Sequence, residues 1–423
     1  MSVRRINVKK AFFGFLSLIM ISSTLMGLYS CAIRVKANDL MSDIKAGKID
    51  ERILTDEFSN NTANFSLELF KSSFTEESNT LVSPLSVLLA LSMTANGAEG
   101  ETLSEMEAVL GGDSEVSVLN EYLRSYTRGL KSTADSKLKI ANSIWFREIN
   151  GFTVRKEFLQ ANADFYNAAA YGAPFDESTL KDINNWCKMK TDGMIDQIIK
   201  KIPEEAMMYL INAVVFDAKW EEKYKKTDVS DFSFNNHSGS KSTVGMMRST
   251  ENKYIETDNA TGFIKPYKNN NYSFVALKPK SNISDLIESL DGELFINAIK
   301  EAESVSVMAG IPKFTAEYDN ELSDELKDMG IKKAFADSGA AQFGKISTDT
   351  ELYISKVFHK TYISVDENGT KAAAITAVQM NKTSAVQSEK TVILDSPFVY
   401  AIIDNTTGLP IFIGSVINLP SQN

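Results

Sequence analysis

Apolar positions recur with two different periods along the chain, which predicts a mixture of helices and strands from about Ile53 onward. The stretch EFSNNTANFSLELFKSSF predicts an amphipathic helix, because its large apolar residues lie near one helical face. These residues are Phe58, Phe65, Leu69 and Phe70. The stretch SPLSVLLALSMTANGAEGETLSEMEAVLGG predicts two helices, separated near Asn96-Gly97 and ended by Gly111-Gly112.

Three apolar stretches predict strands. Residues 138–146 (LKIANSIWF) and 207–220 (MMYLINAVVFDAKW) are almost continuously apolar, as is typical of strands that are covered on both faces. Residues 398–417 predict a hairpin that turns at Asn405 to Gly408. Because helices and strands are interspersed without a regular βαβ order, the pattern indicates an α+β fold in one large domain.

One segment near the C-terminus has an unusual pattern. ENGTKAAAITAVQM (367–380) lies between Tyr362 and Phe398, a stretch without aromatic residues, and loops of this length are usually functional or disordered. Its alternate positions are small or apolar, which predicts a strand with one uncharged face against packed structure. These positions are Thr370, Ala372, Ala374, Thr376, Val378 and Met380. Gly369 can act as the pivot. A helix is the alternative for AAAITAVQM, but its three β-branched residues disfavour it.

The N-terminus has the layout of a secretory signal. Basic residues at 4, 5, 9 and 10 precede an apolar run from Ala11 to about Tyr29. The string Leu28-Tyr29-Ser30-Cys31 resembles a bacterial lipobox, which predicts a signal peptide over 1–31, lipidation of Cys31, a tether over 32–52 and a main domain over 53–421. Cleavage after Val35-Lys36-Ala37, or an uncleaved membrane anchor, is the alternative. All three place the domain outside the cytoplasm, either secreted or anchored at the outer face of a bacterial cell membrane.

Charge and motif content argue against several function classes. The net charge of −10 argues against a nucleic-acid partner, because phosphate contacts need clustered Lys and Arg. Since no phosphate-binding, metal-binding or exposed-serine motif is present, we expect no cofactor, no metal and no catalytic residue. His237 is predicted to be exposed, His359 to be a hydrogen-bonded structural residue, and Cys187 to be a small buried hydrophobe. A lipid-anchored hydrolase with an unrecognised carboxylate pair is the enzymatic alternative.

Motifs in order over nearly the whole chain, from about residue 55 to Pro420, resemble those of the serpins. The resemblance is carried by NTLVSPLSVLLALSMTANGAEGET, LKIANSIWF, LINAVVFDAKWE, IPKFTAEYDNELSDELKDMGIKKAF and FIGSVINLP. ISKVFHKTYISVDENGTKAAAIT resembles the strand and hinge that lead into the serpin reactive-centre loop. The resemblance implies one large domain with three β-sheets, about eight or nine helices and an exposed reactive-centre loop at about 367–396.

The family resemblance also implies a mechanism of protease inhibition. The exposed loop is bait for a serine protease, which forms an acyl-enzyme with it. The cleaved loop then inserts as a strand into the main sheet before deacylation and traps the protease. The native state must therefore be metastable. The implied partner is a target serine protease in a covalent acyl complex with a monomeric inhibitor that is not itself an enzyme.

Residues of two regions are carried over from the family pattern. The loop hinge would comprise Glu367, Gly369, Thr370, Ala372, Ala373, Ala374 and Thr376. The region where the main sheet opens would comprise a polar cluster of Ser83, Ser86, Asn212 and His359, with Trp220 at the top of that sheet. Lys371 replaces the acidic residue that is usual in inhibitory members, but alternation points it outward, where a charge change should cost little.

The family spacing from Gly369 predicts a scissile bond at Thr383-Ser384, which suits an elastase-like or subtilisin-like protease. The bond one residue earlier, Lys382-Thr383, suits a trypsin-like protease whose pocket carries a carboxylate. Both remain open, because the stretch between Gly369 and Pro397 is longer than usual. The alternative function is that of a non-inhibitory serpin that acts as a binding protein, which would be cleaved without forming a covalent complex.

Overall fold

The structure, a computed structural model, describes residues 34–149, 151–337, 339–349, 351–371 and 390–421. Nine α-helices lie within these residues: α1 Asp56–Ser73, α2 Pro84–Ala95, α3 Gly100–Gly111, α4 Val116–Gly129, α5 Lys156–Tyr166, α6 Glu177–Lys190, α7 Ile283–Ser289, α8 Gly292–Lys300 and α9 Ser323–Asp328. Short 3₁₀ turns occur at Lys226–Asp228, Lys268–Asn270 and Lys333–Phe335.

The strands of the described residues form three sheets. In chain order they are β1 Asn38–Asp39, β2 Thr80–Val82, β3 Ser136–Arg147, β4 Ala169–Ala173, β5 Met208–Lys219, β6 Val229–Asn235, β7 Lys241–Glu251, β8 Tyr254–Glu256, β9 Ala260–Pro266, β10 Tyr272–Pro279, β11 Val307–Pro312, β12 Phe314–Glu321, β13 Lys356–Val365, β14 Gly369–Lys371, β15 Lys390–Ile393, β16 Phe398–Asp404 and β17 Pro410–Val416.

The main sheet has seven strands in the order β1-β4-β3-β5-β14-β13-β12. A second sheet has six strands in the order β2-β17-β16-β10-β9-β8, and a third has four in the order β15-β11-β7-β6. This α+β architecture with three sheets confirms the predicted fold class. The predicted reactive-centre loop falls mostly on residues 372–389, which lie outside the described residues.

Local sequence signals explain most of the element boundaries. Helix α2 begins with Pro84, a residue favoured in the first helical turn. All twelve of its residues are buried, because it runs through the core between the main sheet and the second sheet. Helix α3 ends at Gly111 and is capped by Gly112, whose φ of 59° is a left-handed conformation that glycine adopts readily. The predicted pair of helices and the breaks between them are therefore confirmed.

The long strands β3 and β5 form the centre of the main sheet. They pair antiparallel from Ser136↔Ala218 to Phe146↔Met208, and nearly every residue of β5 is buried. Strands β16 and β17 form the predicted hairpin, and both are buried throughout. The two predicted strands and the predicted hairpin are confirmed. The predicted cover on both faces holds along β5 and for residues 142–146 of β3, whereas residues 138–141 of β3 are only partly buried.

The segment predicted as a tether lies against the domain from Lys36 onward. The backbone N–H groups of Lys36 and Ala37 donate to the Asp182 carboxylate at 2.9 and 2.7 Å, and β1 pairs with β4. The Gly47 N–H donates to Asp164 Oδ1 at 2.6 Å. The pattern of residues 32–52 did not indicate these contacts, since backbone N–H groups bind carboxylates regardless of side-chain type. The residues from Lys36 onward belong to one compact unit.

Two single-residue predictions concern side chains in the described part of the chain. Cys187 is fully buried, and burial raises the pKa of its thiol to about 12, although the Lys360 charge opposes the shift. The thiol therefore stays protonated, as expected of a small hydrophobe. His237 is exposed. Both predictions are confirmed. None of the helices described is long and apolar enough to cross a membrane.

Candidate functional site

The short strand β14 enters the main sheet between β5 and β13 at one end only. On one side Gly369 pairs with Lys219 and Thr370 with Ala218. On the other side Thr370 pairs with Val365 and Lys371 with Ser364. At the opposite end β5 and β13 pair directly, from Lys356↔Tyr209 to Lys360↔Ala213. β14 therefore separates β5 from β13 at one end of the main sheet, and the two strands pair directly only from Ala213 and Lys360 toward the other end.

A tight turn connects β13 to β14. The Asp366 N–H donates to the Gly369 carbonyl at 3.0 Å, and the Asp366 carboxylate accepts from the Asn368 N–H at 2.7 Å. At Gly369 the backbone passes so close to β5 that a Cβ would meet the Ala218 carbonyl oxygen at 2.0 Å. Only glycine fits this approach, which agrees with its predicted place at the pivot.

Residues that directly follow β5 form hydrogen bonds with this turn through backbone and side-chain groups. The Trp220 N–H donates to the Asn368 carbonyl at 2.9 Å, and its indole N–H donates to the Asp366 carbonyl at 2.8 Å. The Tyr224 N–H donates to the Glu367 carbonyl at 3.1 Å. The predicted hinge residues Glu367 and Gly369 and the predicted Trp220 therefore lie in one contact region.

Glu367 also forms an ion pair with Lys313 at 2.8 Å. Partial burial alone would raise the pKa of the Glu367 carboxyl, but the hydrogen bond from Lys313, a backbone hydrogen bond and the Lys313 charge together outweigh it and lower the pKa. The pair joins the hinge turn to the segment between β11 and β12. Because both side chains are about one-third exposed, it adds little stability.

Thr370 is fully buried, and its hydroxyl lies 2.5 Å from the Tyr267 hydroxyl. Tyr267 stacks on Trp220 with ring centroids 4.6 Å apart. Burial raises the pKa of Tyr267, so its phenol stays neutral. Either hydroxyl can donate the hydrogen bond between Tyr267 and Thr370. Sequence reasoning did not identify Tyr267, and its context (IKPYKNN) contains no signal that would have done so.

The predicted polar cluster forms where β5 and β13 pair directly. His359 Nδ1 lies 3.0 Å from Asn212 Oδ1, and His359 Nε2 accepts from the Ser83 N–H at 3.0 Å. Burial lowers the pKa of His359 to about 3, so the ring is neutral. Because Nε2 accepts, the proton resides on Nδ1 and is donated to Asn212.

Asn212 ties the cluster to two further elements. Its amide donates to the Ser86 carbonyl at 2.7 Å and to Asn142 Oδ1 at 2.5 Å. Ser86 thus takes part through its backbone carbonyl, and its hydroxyl has no hydrogen-bond partner among the described residues. Sequence reasoning missed Asn142. The available signal was a lone amide in the apolar run LKIANSIWF, which the register places opposite Asn212.

The structure brings Ser83, Ser86, Asn212 and His359 together in one cluster and Trp220, Glu367, Gly369 and Thr370 in another. The remaining predicted site residues lie outside the described residues. They are Cys31, Ala372, Ala373, Ala374, Thr376, Lys382, Thr383 and Ser384.

Comparison with known proteins identifies the family. The family model described as "Serpin (serine protease inhibitor)" matches residues 60–419. The chain belongs to the serpin family. Serpins are generally protease inhibitors rather than catalysts, they generally pair with target proteases, and some are non-inhibitory. The fold described above is the serpin fold.

Several curated and solved serpins are similar to this one. A serpin-like protein of Thermococcus kodakarensis is 30% identical over 362 residues, which cover 84% of each chain. Human neuroserpin is 30% identical over 371 residues, which cover 82% of this chain and 88% of neuroserpin.

The crystal structure of the thermophilic serpin tengpin in the native state is 49% identical, with a TM-score of 0.87. It covers 91% of this chain and 100% of tengpin. Tengpin in the latent state is 47% identical, with a TM-score of 0.77, and covers 88% of this chain and 100% of the other.

Proposed function

We propose that this serpin inhibits serine proteases as a suicide substrate, by inserting its cleaved reactive-centre loop into the main sheet as a strand. The observation that carries the proposal is the pairing of β14, which already lies between β5 and β13 in the uncleaved chain. Insertion of the following residues would extend a strand that has begun rather than start a new one.

The register of β14 predicts what each inserted residue would contact. Continuing the pairings Thr370↔Ala218 and Thr370↔Val365 in steps of two would place Ala372 between Phe216 and Ile363. It would likewise place Ala374 between Val214 and Thr361. These neighbours are all fully or almost fully buried, so the space between them suits small side chains. The run of alanines therefore fits the path of insertion.

The same register places Thr376 between Asn212 and His359, which pair directly in the uncleaved chain. Insertion would separate these two polar groups, and a buried polar group that loses its partner is costly. The hydroxyl of Thr376 is the one polar side chain among the inward positions 372, 374, 376 and 378. This hydroxyl would lie next to the Asn212 and His359 side chains, where an apolar side chain would leave their polar groups without a partner.

We place the scissile bond at Thr383-Ser384, which favours an elastase-like or subtilisin-like target, with Lys382-Thr383 and a trypsin-like target as the alternative. The experiment is to incubate the protein with one protease of each type and to separate the products on denaturing gels. A stable band of the summed mass supports inhibition, and mass spectrometry of the released C-terminal fragment identifies the cleaved bond. Complete cleavage by every protease without such a band would instead support a non-inhibitory serpin.

We also propose that the chain is exported and held at the outer face of a bacterial membrane through a lipid on Cys31. The support is the basic, then apolar, then Leu28-Tyr29-Ser30-Cys31 layout of the N-terminus. Labelling cells with a palmitate analogue tests this proposal. The wild type should be labelled and sediment with membranes, and Cys31→Ser should not be labelled. Release of unlabelled protein that begins after Ala37 would show ordinary secretion instead.

A further inference from the structure

A buried pair of hydroxyl groups lies where β14 enters the main sheet. Tyr267 and Thr370 are both fully buried, and their oxygen atoms are 2.5 Å apart. Tyr267 is also held through its backbone: it forms a bridge with Trp220, and its N–H donates to the Tyr272 carbonyl at 3.0 Å. The hydroxyl pair therefore connects Thr370, the first residue of β14 that is paired on both sides, to the buried core.

The Tyr267 ring has little freedom to follow Thr370 if β14 withdraws. One face stacks on Trp220 at 4.6 Å with an interplanar angle of 8°. The ring also packs edge-on against Phe216 at 5.1 Å. Because the ring is fixed in a buried position, withdrawal of Thr370 would take the hydrogen-bond partner away from the Tyr267 hydroxyl, and an unpaired buried hydroxyl is unfavourable.

We infer that Tyr267 is a positioning residue that holds Thr370 inside the main sheet before cleavage, and thereby sets how often an acylated protease is trapped rather than released. This inference rests on the proposed inhibitory function. Insertion and deacylation compete once the acyl-enzyme has formed. A chain in which Thr370 is already paired on both sides starts insertion without having to separate β5 from β13 at that end.

The effect of the bond on the position of β14 is measured in the uncleaved protein, without any protease. Tyr267→Phe keeps the ring and its stacking and removes only the hydroxyl. Hydrogen exchange is followed by mass spectrometry in a fragment containing Gly369–Lys371. Loss of one net hydrogen bond corresponds to about a fivefold change in an equilibrium, so we expect exchange there to become about fivefold faster.

Tyr272→Phe is the matched control. Its hydroxyl also makes one hydrogen bond, to the Lys131 carbonyl at 2.8 Å, and its ring also packs against Phe216, at 5.4 Å. It should lower the melting temperature by a similar amount without changing exchange at Gly369–Lys371. If Tyr267→Phe does not fold, Thr370→Val removes the same bond from the other side and should give the same faster exchange.

The second readout is the number of inhibitor molecules consumed per protease molecule trapped. We expect Tyr267→Phe to raise this number severalfold and Tyr272→Phe to leave it unchanged, while the rate of the first cleavage stays the same in both. The double variant Tyr267→Phe/Thr370→Val should add nothing to either single change. Exchange at Gly369–Lys371 that is the same in Tyr267→Phe and wild type would overturn the inference. If the wild type traps no protease, the proposed function fails, and exchange still decides whether Tyr267 holds Thr370.

Discussion

Replacing Thr370 by arginine is the most direct test of strand insertion. Thr370 is fully buried between Ala218 and Val365, with its hydroxyl on Tyr267. No space or carboxylate partner for a guanidinium is evident among these contacts. Beside them, the Lys265 ammonium already lies 5.3 Å from the Trp220 ring and is paired with Glu251. An arginine here would bring an unpaired charge into a buried site that already contains a cation.

The size of the effect follows from the cost of burying that charge. An unpaired buried ion costs several kcal/mol even after relaxation of the surroundings. A penalty of about 3 to 4 kcal/mol slows a step by roughly 100- to 1000-fold, since about 1.4 kcal/mol corresponds to a factor of ten. Before cleavage β14 can avoid the penalty by withdrawing to the surface. After cleavage, insertion must carry residue 370 into this buried position. Deacylation of the acyl-enzyme should therefore be faster than insertion.

The assay compares wild type, Thr370→Arg and Thr370→Ser against the same protease. Thr370→Ser is the control, because it keeps a small side chain and the hydroxyl. We expect Thr370→Arg to be cleaved at the wild-type rate and released without a covalent complex, whereas Thr370→Ser should still trap the protease. Equal yields of complex from wild type and Thr370→Arg would refute insertion at this position.

Three further outcomes are expected. Cleavage of the reactive-centre loop should raise the melting temperature of the wild type, because insertion adds a central strand to the main sheet; scanning calorimetry of intact and nicked protein checks this, and an unchanged midpoint would contradict it. Gly369→Val should expel β14, since its Cβ would meet the Ala218 carbonyl oxygen at 2.0 Å; faster hydrogen exchange of Gly369–Lys371 and loss of the covalent complex are the readouts, with Gly129→Val, at an exposed helix end with open space around it, as the control. Burial lowers the pKa of His359 from 6.5 to about 3, so between these two pH values the unfolded chain binds the extra proton. The stabilisation is complete above pH 6.5 and is lost as pH falls toward about 3, by up to ~1.4 kcal/mol per pH unit. Denaturant unfolding at several pH values should show this slope, and the slope should be reduced in His359→Gln.

Many elements of this serpin follow from local sequence alone. The apolar runs of β3 and β5, the hairpin of β16 and β17, and the helix break at Asn96-Gly97 each depend on residues that are close in the chain. The periodic pattern indicates which face of a helix or strand is buried, and turn residues indicate where that element ends. The motif resemblance added the family and the residues of the polar cluster, and the comparisons confirm the family.

Only the tertiary structure decided which groups meet across the main sheet. The register of β14 brings Thr370 to Tyr267, and the register of β3 brings Asn142 to Asn212. A periodic pattern cannot predict such pairs, because a strand with one buried face can bury it beside many partners, and the choice is made by long-range packing. The residue pattern also could not predict that residues 36–52 pack against the domain. Much of this packing depends on backbone N–H groups, which every residue except proline carries.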